Sequence, residues 1–225
     1  LTLEARMTTQ QQASSNLVRN LAHEIKNPLG GIRGAAQLLQ RELNPSLHEF
    51  TDIIISEADR LRDLVDRLLG PQRQTQKQAC NIHQILDKID QLLRAEAGDQ
   101  VQLIRDYDPS LPELLIDANQ MTQVFLNVGR NALQALVEHQ INGGHISLKT
   151  RAVRRFTIGN TCHRLVCCIS ISDNGPGIAA DLKEDIFFPL VTHRAQGTGL
   201  GLSIAQSLIQ QHQGLIECDS QKGQT

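Results

Sequence analysis

The 225-residue chain has no tryptophan, one tyrosine and five phenylalanines. It is therefore poorly supplied with the stacking platforms that hold single-stranded nucleic acids. Charge of one sign is also lacking: a formal net charge of -2 and a pI near 6.5 give no general electrostatic reason to bind nucleic acid or anionic lipid. No apolar run approaches the length of a membrane span and no secretory signal is present. The expectation is a cytoplasmic chain with neither nucleic acid nor membrane as partner. Five cysteines, Cys80, Cys162, Cys167, Cys168 and Cys218, form an odd set without paired Cys-x-x-Cys spacing. They fit reduced thiols better than a disulfide framework or a zinc site, and Cys167 and Cys168 lie in an apolar run that reads as core.

What is present is an ordinary globular balance, 40% hydrophobic and 20% charged, which gives room for one or two cored domains. Residues 1 to 13 are polar and Gln-rich and read as the end of a linker from an upstream domain, or the start of a long helix. From about 17 to 43, Val18, Leu21, Ile25, Leu29, Ile32, Ala36, Leu39 and Leu43 fall on one helical stripe. Asn44-Pro45-Ser46 breaks it, with Ser46 as a cap for a second helix. There Leu47, Phe50, Ile54, Ala58, Leu61, Val65 and Leu68 form another stripe, ended by Gly70-Pro71. Two helices with one stripe each enclose little core, so residues 14 to 71 are expected to pair with a second copy as a homodimeric four-helix bundle.

Residues 72 to 78 read as a linker, and a second domain follows over 79 to 225. Its expected elements are a helix to about Ala97, strands at 101 to 105 and 114 to 116, and a helix from about Asn119 to Val137 capped by Asp117. Strands over 145 to 153 and 164 to 172 follow, joined by a long, basic, exposed connection. A helix running to about Gln211 and a strand before Gly223-Gln224-Thr225 complete the pattern.

Two places carry chemistry. On the first helix, at about 100° per residue, His23 lies about 200° from Leu21 and so off the apolar stripe. A lone helical histidine is ordinarily a surface residue. Here Glu24 is its neighbour, Asn27 follows one turn on, and Gly30 and Gly34 leave the same face flat, which suits close approach by another protein. Pro28 removes a backbone hydrogen bond and crowds the carbonyl of Glu24, so a kink is expected just after the histidine.

The second place is spread along the second domain. Asn127 and Asn131 are one turn apart, with Gly129 and Arg130 between them, and Asn and Gly in a helix interior cost stability. A strand leads into Asp173-Asn174-Gly175-Pro176-Gly177, whose glycines let a ligand come close to the backbone while Asp173 offers an anionic acceptor. Beyond Phe187-Phe188-Pro189-Leu190, Gly197-Thr198-Gly199-Leu200-Gly201-Leu202 opens a helix whose first N–H groups form a ready anion site. This is neither the Walker pattern nor a dinucleotide fingerprint.

His-Glu-Ile-Lys-Asn-Pro-Leu resembles the phosphoacceptor box of bacterial sensor histidine kinases. The Asn pair, Asp-x-Gly-x-Gly, Phe-x-Pro and Gly-x-Gly-x-Gly in this order resemble the nucleotide-binding boxes of the same family. Arg-Asp-Tyr-Asp-Pro-Ser-Leu-Pro-Glu-Leu and Arg-Asn-Ala-Leu-Gln-Ala-Leu are similar to its nitrogen-regulation branch. The resemblance implies an α-helical hairpin dimerising to a four-helix bundle, then an α/β sandwich ATP-binding domain of the histidine kinase, gyrase and Hsp90 type. A sensory PAS domain upstream and a closing strand after Thr225 are expected beyond the chain given.

The resemblance also implies roles. ATP and Mg²⁺ are the expected cofactors, with Asn131 ligating the metal and Asn127 and Arg130 close to the same phosphates. Asp173 would accept from the adenine amino group, Gly175 and Gly177 would let the base approach, and the backbone at Thr198, Gly199, Leu200 and Gly201 would wrap the phosphates. The lid would run from about Phe187 to Thr198, with His193 and Arg194 as candidate phosphate contacts or solvated loop charges. Glu24 would orient and activate His23, and Asn27 would position a water for dephosphorylation of the regulator. The implied partners are a second copy, a response regulator receiver domain of the NtrC type and a PII signalling protein. A conformational-clamp ATPase of this fold and a catalytically inactive dimeric scaffold are the rival readings. His23-Glu24 argues against the first, and the complete set of boxes argues against the second.

Overall fold

The structure is a computed structural model that describes residues 24–69, 75–98, 100–179, 182–183, 185–189, 191–192 and 199–221, with the side chains of residues 63, 64 and 66–69 excepted. The chain divides into two compact units, Leu1–Gln72 and Arg73–Thr225. His23, residues 193–198 of the expected lid, which include Thr198, and the expected upstream linker lie outside the described residues.

In the first unit, helix α1 covers residues 24–42 and continues through Pro28. The break after it differs from the expected Ser46 cap. Asn44 accepts from the Ser46 N–H and caps a 3-10 turn over Pro45–Leu47, and helix α2 then runs His48–Leu69. Pro45 suits the first position of that turn because it has no N–H to satisfy. The helices run antiparallel: Arg33 Nε donates to Asp59 at 2.7 Å, and seven residues further along α1 Gln40 donates to Asp52, seven residues back along α2, also at 2.7 Å. Between them Leu29 and Ala36 pack with Ala58 and Val65, while Ile25, Ile32 and Leu39 on α1 and Ile54 and Leu61 on α2 stay exposed. Each expected stripe is thus split along its length, one heptad row inside the hairpin and one facing out.

The second unit is a two-layer α/β sandwich. Strand β1 (Gln78–Cys80) pairs antiparallel with β3 (Leu114–Ile116), and a second sheet has the order β2-β4-β5 (Val101–Asp106, Gly144–Ile158, Thr161–Asp173), parallel and then antiparallel. Helices α3 (Ile82–Ala97), α4 (Ala118–Glu138) and α5 (Gly201–Gln211) complete the order. Leu86, Ile89 and Leu93 of α3, Val124, Leu133 and Leu136 of α4, and Ile146 and Leu148 of β4 form the core. In β2, Val101 and Leu103 are buried while Gln102 and Ile104 are exposed, the alternation of a sheet covered on one face.

Asn81 caps α3 by accepting from the His83 N–H, Gly98 ends it at φ 57°, and Asp117 caps α4 as expected, accepting from Asn119 and Gln120. Three expectations are corrected. The connection between the strands is not a long loop: β4 and β5 continue as a two-stranded ribbon through Phe156↔His163 to Ile158↔Thr161, closing on Gly159 at φ 58°. A ribbon with little covering it tolerates charge on both faces, so Arg154, Arg155 and Arg164 stay exposed within strands. Residues 214–220 form no assigned strand. Of the two cysteines read as core, Cys168 is exposed and Cys167 half-buried, burial pushing the Cys167 thiol up to about 11. All five cysteines are free, and no helix among the described residues is long and apolar enough to cross a membrane.

Candidate nucleotide and phosphoacceptor site

Asp173 is the last residue of β5, opposite Ile146 in the ladder, and is 8% exposed. Its carboxylate accepts from the Gly175 N–H at 2.8 Å, the turn the glycine allows. A Cβ on Gly175 would lie 2.6 Å from that carboxylate oxygen, so any side chain there would push into the acceptor. Gly177 sits at φ 81°, and a Cβ on it would meet the Gln221 carbonyl at 2.6 Å. Both glycines are thus fixed by sterics, Gly177 also by its left-handed backbone. Asn174 tethers this loop, accepting from the His145 N–H at 2.7 Å and donating to the Gly143 carbonyl at 3.2 Å. Ser220 holds the other side through its hydroxyl, which accepts from the Ile178 N–H at 2.8 Å, and its carbonyl accepts from Lys183.

The Asn face of α4 meets the start of α5. Asn127 Nδ2 donates to the Gly201 carbonyl at 3.0 Å, and a Cβ on Gly201 would lie 3.7 Å from Asn127 Cβ and 4.0 Å from Asn131 Nδ2. Leu200, 2% exposed, precedes α5 without a capping side-chain hydrogen bond, and Gly199 stands at φ 64°. The first N–H groups of α5 therefore receive no side chain at Leu200 to satisfy them, which is how a helix end receives an anion. Gly129 has a packing role rather than only a cost: a Cβ there would lie 2.6 Å from Leu93 Cδ1, so its absence lets α3 and α4 approach closely.

Arg130, beside the Asn pair, reaches across to α3. Its guanidinium makes a two-pronged ion pair with Glu96 on α3, with Nε 3.0 Å from one carboxylate oxygen. The Arg130 side-chain hydrogen bond holds the Glu96 carboxyl below its ordinary range, and Glu96 raises Arg130 in turn. The structure thus brings Asn127, Asn131, Leu200 and Gly201 together and sets Asp173, Gly175 and Gly177 in one loop. On α1, Glu24 and Asn27 are exposed, and a Cβ on Gly30 or Gly34 would meet nothing within 4 Å.

Asn174, Ser220 and Glu96 went unnoticed in the sequence. Asn174 lay inside the motif itself, and its position before a glycine turn was the available signal. Ser220 had none.

Among the described residues no cluster of three His, Cys, Asp or Glu side chains could hold a metal alone. The donor set nevertheless fits Mg²⁺, which binds through one or two protein oxygens with substrate phosphates and water. The Asn131 amide, whose Nδ2 would lie 4.0 Å from a Cβ on Gly201, carries the side-chain oxygen that would serve as the protein ligand.

Both units match domains of one family. Residues 13–77 match the His Kinase A (phospho-acceptor) domain, and residues 116–225 match the histidine kinase-, DNA gyrase B-, and HSP90-like ATPase domain. The chain belongs to the histidine kinase family. It is 53% identical over 226 residues to the sensory histidine kinase/phosphatase NtrB of Vibrio alginolyticus and to that of Escherichia coli O157:H7, each alignment covering 100% of this chain and 64% of the relative. The NtrB of Rhizobium leguminosarum bv. phaseoli is 38% identical, covering 94% of this chain and 56% of the relative. The chain thus spans about 64% of the length of the first two relatives. Full-length ShkA in complex with AMPPNP has a similar fold, with a TM-score of 0.57 at 24% identity over 93% of this chain and 44% of that one. Histidine kinase ThkA in complex with response regulator protein TrrA gives 0.53 at 22% identity, over 94% of this chain and 59% of that one.

Proposed function

We propose that the chain is the transmitter part of a nitrogen-regulation sensor kinase, which phosphorylates His23 from ATP, passes the phosphoryl group to a receiver aspartate, and also dephosphorylates that receiver. The observation that carries this reading is the Asn127–Gly201 contact, which puts the Asn face of α4 beside the uncapped start of α5. Asp173 accepts from the adenine amino group, and Gly175 and Gly177 give the base its approach. The phosphates lie at Thr198, Gly199, Leu200 and Gly201, and Asn131 holds Mg²⁺, which neutralises phosphate charge when bound. Arg130 serves the site indirectly, its pairing with Glu96 bracing α4 against α3.

At the other end, Glu24 accepts from one ring N–H of His23 and leaves the second nitrogen with a free lone pair. That nitrogen attacks the γ-phosphorus. The N–P bond forms as the bond from γ-phosphorus to the β,γ-bridging oxygen breaks, ADP leaves with the electron pair, and the ring proton is lost to solvent. The receiver carboxylate then attacks the phosphorus of phosphohistidine; the O–P bond forms as the N–P bond breaks, and the ring nitrogen leaves with the electron pair to regenerate the neutral imidazole. In the reverse sense Asn27 holds a water that hydrolyses the phospho-aspartate, since an amide can donate and accept at once.

The exposed rows Ile25, Ile32 and Leu39, and Ile54 and Leu61, support a homodimer, because an apolar heptad row on each helix is what a second hairpin would cover. An NtrC-like receiver domain and a PII signalling protein are the proposed partners, and the cytoplasm, where ATP is available and thiols stay reduced, is the proposed location. The test is a pulse with γ-labelled ATP followed by a chase with an NtrC-like receiver domain. Label should pass from this chain to the receiver and then appear as free phosphate. Steady ATP hydrolysis with no label on either protein would instead establish a clamp ATPase.

A further inference from the structure

Helix α5 is pinned to α4 at both ends. At its start, Gly201 accepts from Asn127 at 3.0 Å; past its end, His212 Nε2 accepts from the Asp117 N–H at 3.0 Å while Nδ1 faces the Leu208 carbonyl at 2.8 Å. Ten residues of α4 separate the two anchors and eleven of α5, about 15 and 16 Å at 1.5 Å per residue. The helices therefore lie side by side, antiparallel and in matched register.

The residues just before β1 close over the same end. Thr75 Oγ1 donates to Gln211 Oε1 at 3.2 Å, Lys77 Nζ to the Gln211 carbonyl at 2.9 Å, and the Gln76 N–H to Asp117 at 2.9 Å. Helix α5 has no basic residue in its own last turn, so Lys77 supplies the cation that the negative end of the helix favours. The Asp117 carboxylate thus binds the strap and caps α4, while its N–H holds α5. His212 does its part as a neutral ring, accepting on one nitrogen and donating from the other.

We propose that His212 and the strap of residues 75–77 are positioning elements for ATP binding: they fix the tilt of α5 and so the aim of its first N–H groups. The proposal rests on the reading that those groups receive the phosphates. A rigid helix held at its far end carries any displacement there to its near end, and misplacement of about 1 Å at a binding group is enough to cost substantial affinity or rate. Because coupling is reciprocal, bound nucleotide must tighten the strap in return.

The test is calorimetry of Mg²⁺ and a non-hydrolysable ATP analogue binding to the full chain, with circular dichroism as the fold control. His212→Phe keeps a ring and loses the acceptor, and it should weaken binding about fivefold or more, the lower end of typical coupling. His212→Gln restores an acceptor and a donor and should recover most of that loss. The exposed Lys77→Met should weaken binding about twofold to fivefold, and it carries the test alone if His212→Phe fails to fold. In labelling assays the loss should fall on KM for ATP and leave the rate at saturating ATP largely intact. By hydrogen exchange, the Gln76 amide should be slower with nucleotide bound. Wild-type affinity in His212→Phe and Lys77→Met, or equal loss in His212→Phe and His212→Gln, overturns the inference while the site reading stands. A wild-type chain that binds no nucleotide overturns both.

Discussion

Replacing Asp173 by Asn removes a charge and little else. The side chain keeps its size, and an amide oxygen can still accept from the Gly175 N–H that now lies 2.8 Å from the carboxylate. What changes is the hydrogen bond to the adenine amino group. A bond to a charged partner contributes about 1.5–3 kcal/mol and one to a neutral partner about 0.5–1.5 kcal/mol, so the difference is about 1–2 kcal/mol. That corresponds to a roughly 5- to 30-fold weaker Kd. Calorimetry with ATP and Mg²⁺ measures it directly. A thermal-melt series gives an independent check, because stabilisation at fixed nucleotide follows the logarithm of concentration over Kd and should shrink accordingly. The nucleotide-free protein should melt only slightly lower than wild type, since an amide oxygen still accepts from Gly175 and no packing group is lost. Unchanged affinity would refute the adenine-acceptor role. A loss of affinity matched by a large fall in nucleotide-free melting would refute it too, by making Asp173 a structural residue.

Three further outcomes follow from the same geometry. Gly129→Ala should gain about 1 kcal/mol of helix propensity and lose about 1–3 kcal/mol to overpacking against Leu93, so unfolding of the second unit should show equal or lower stability, and a rise of several degrees in Tm would contradict the close approach of α3 and α4. Burial pushes the Asp117 carboxyl up, but hydrogen bonds from the amides of Gln76, Gln120 and Asn119 outweigh it, so its folded pKa lies below the unfolded one. Its contribution is then present above the unfolded carboxylate pKa and lost as pH falls through the folded one; acid titration of stability should be shallower in Asp117→Asn. Asn27→Ala should lose most receiver dephosphorylation while keeping much of the His23 labelling, and Glu24→Ala should do the reverse, both measured with helicity held constant by circular dichroism; the opposite pattern would assign Asn27 to the kinase step.

Much of the fold was legible where one interaction dominates locally. Asp117 announced the start of α4 and Gly98 the end of α3, because a side-chain cap and a positive φ are properties of single residues. The nucleotide boxes were legible as an ordered set. The failures have physical causes. Arg154 and Arg155 read as loop because a charged run contradicts a half-buried strand, yet the ribbon there is bare enough to carry them. Strand β1 is three residues long and is held by its partner β3, so no pattern of its own could show it. Gly129 looked like a cost because its benefit lies in Leu93, 36 residues away in sequence. The Glu96 partner of Arg130 was not legible, because only the fold brings α3 to it. His212 gave no signal at all: its partners are a backbone N–H and a backbone carbonyl.

In the proposed reaction the nucleotide domain delivers the γ-phosphoryl group to His23. Incubating the chain with γ-labelled ATP and Mg²⁺, then treating the denatured protein with acid and with base, tests it most directly. Label should be lost in acid, survive base and be absent from His23→Gln. Label that persists in His23→Gln, or that resists acid, would contradict it.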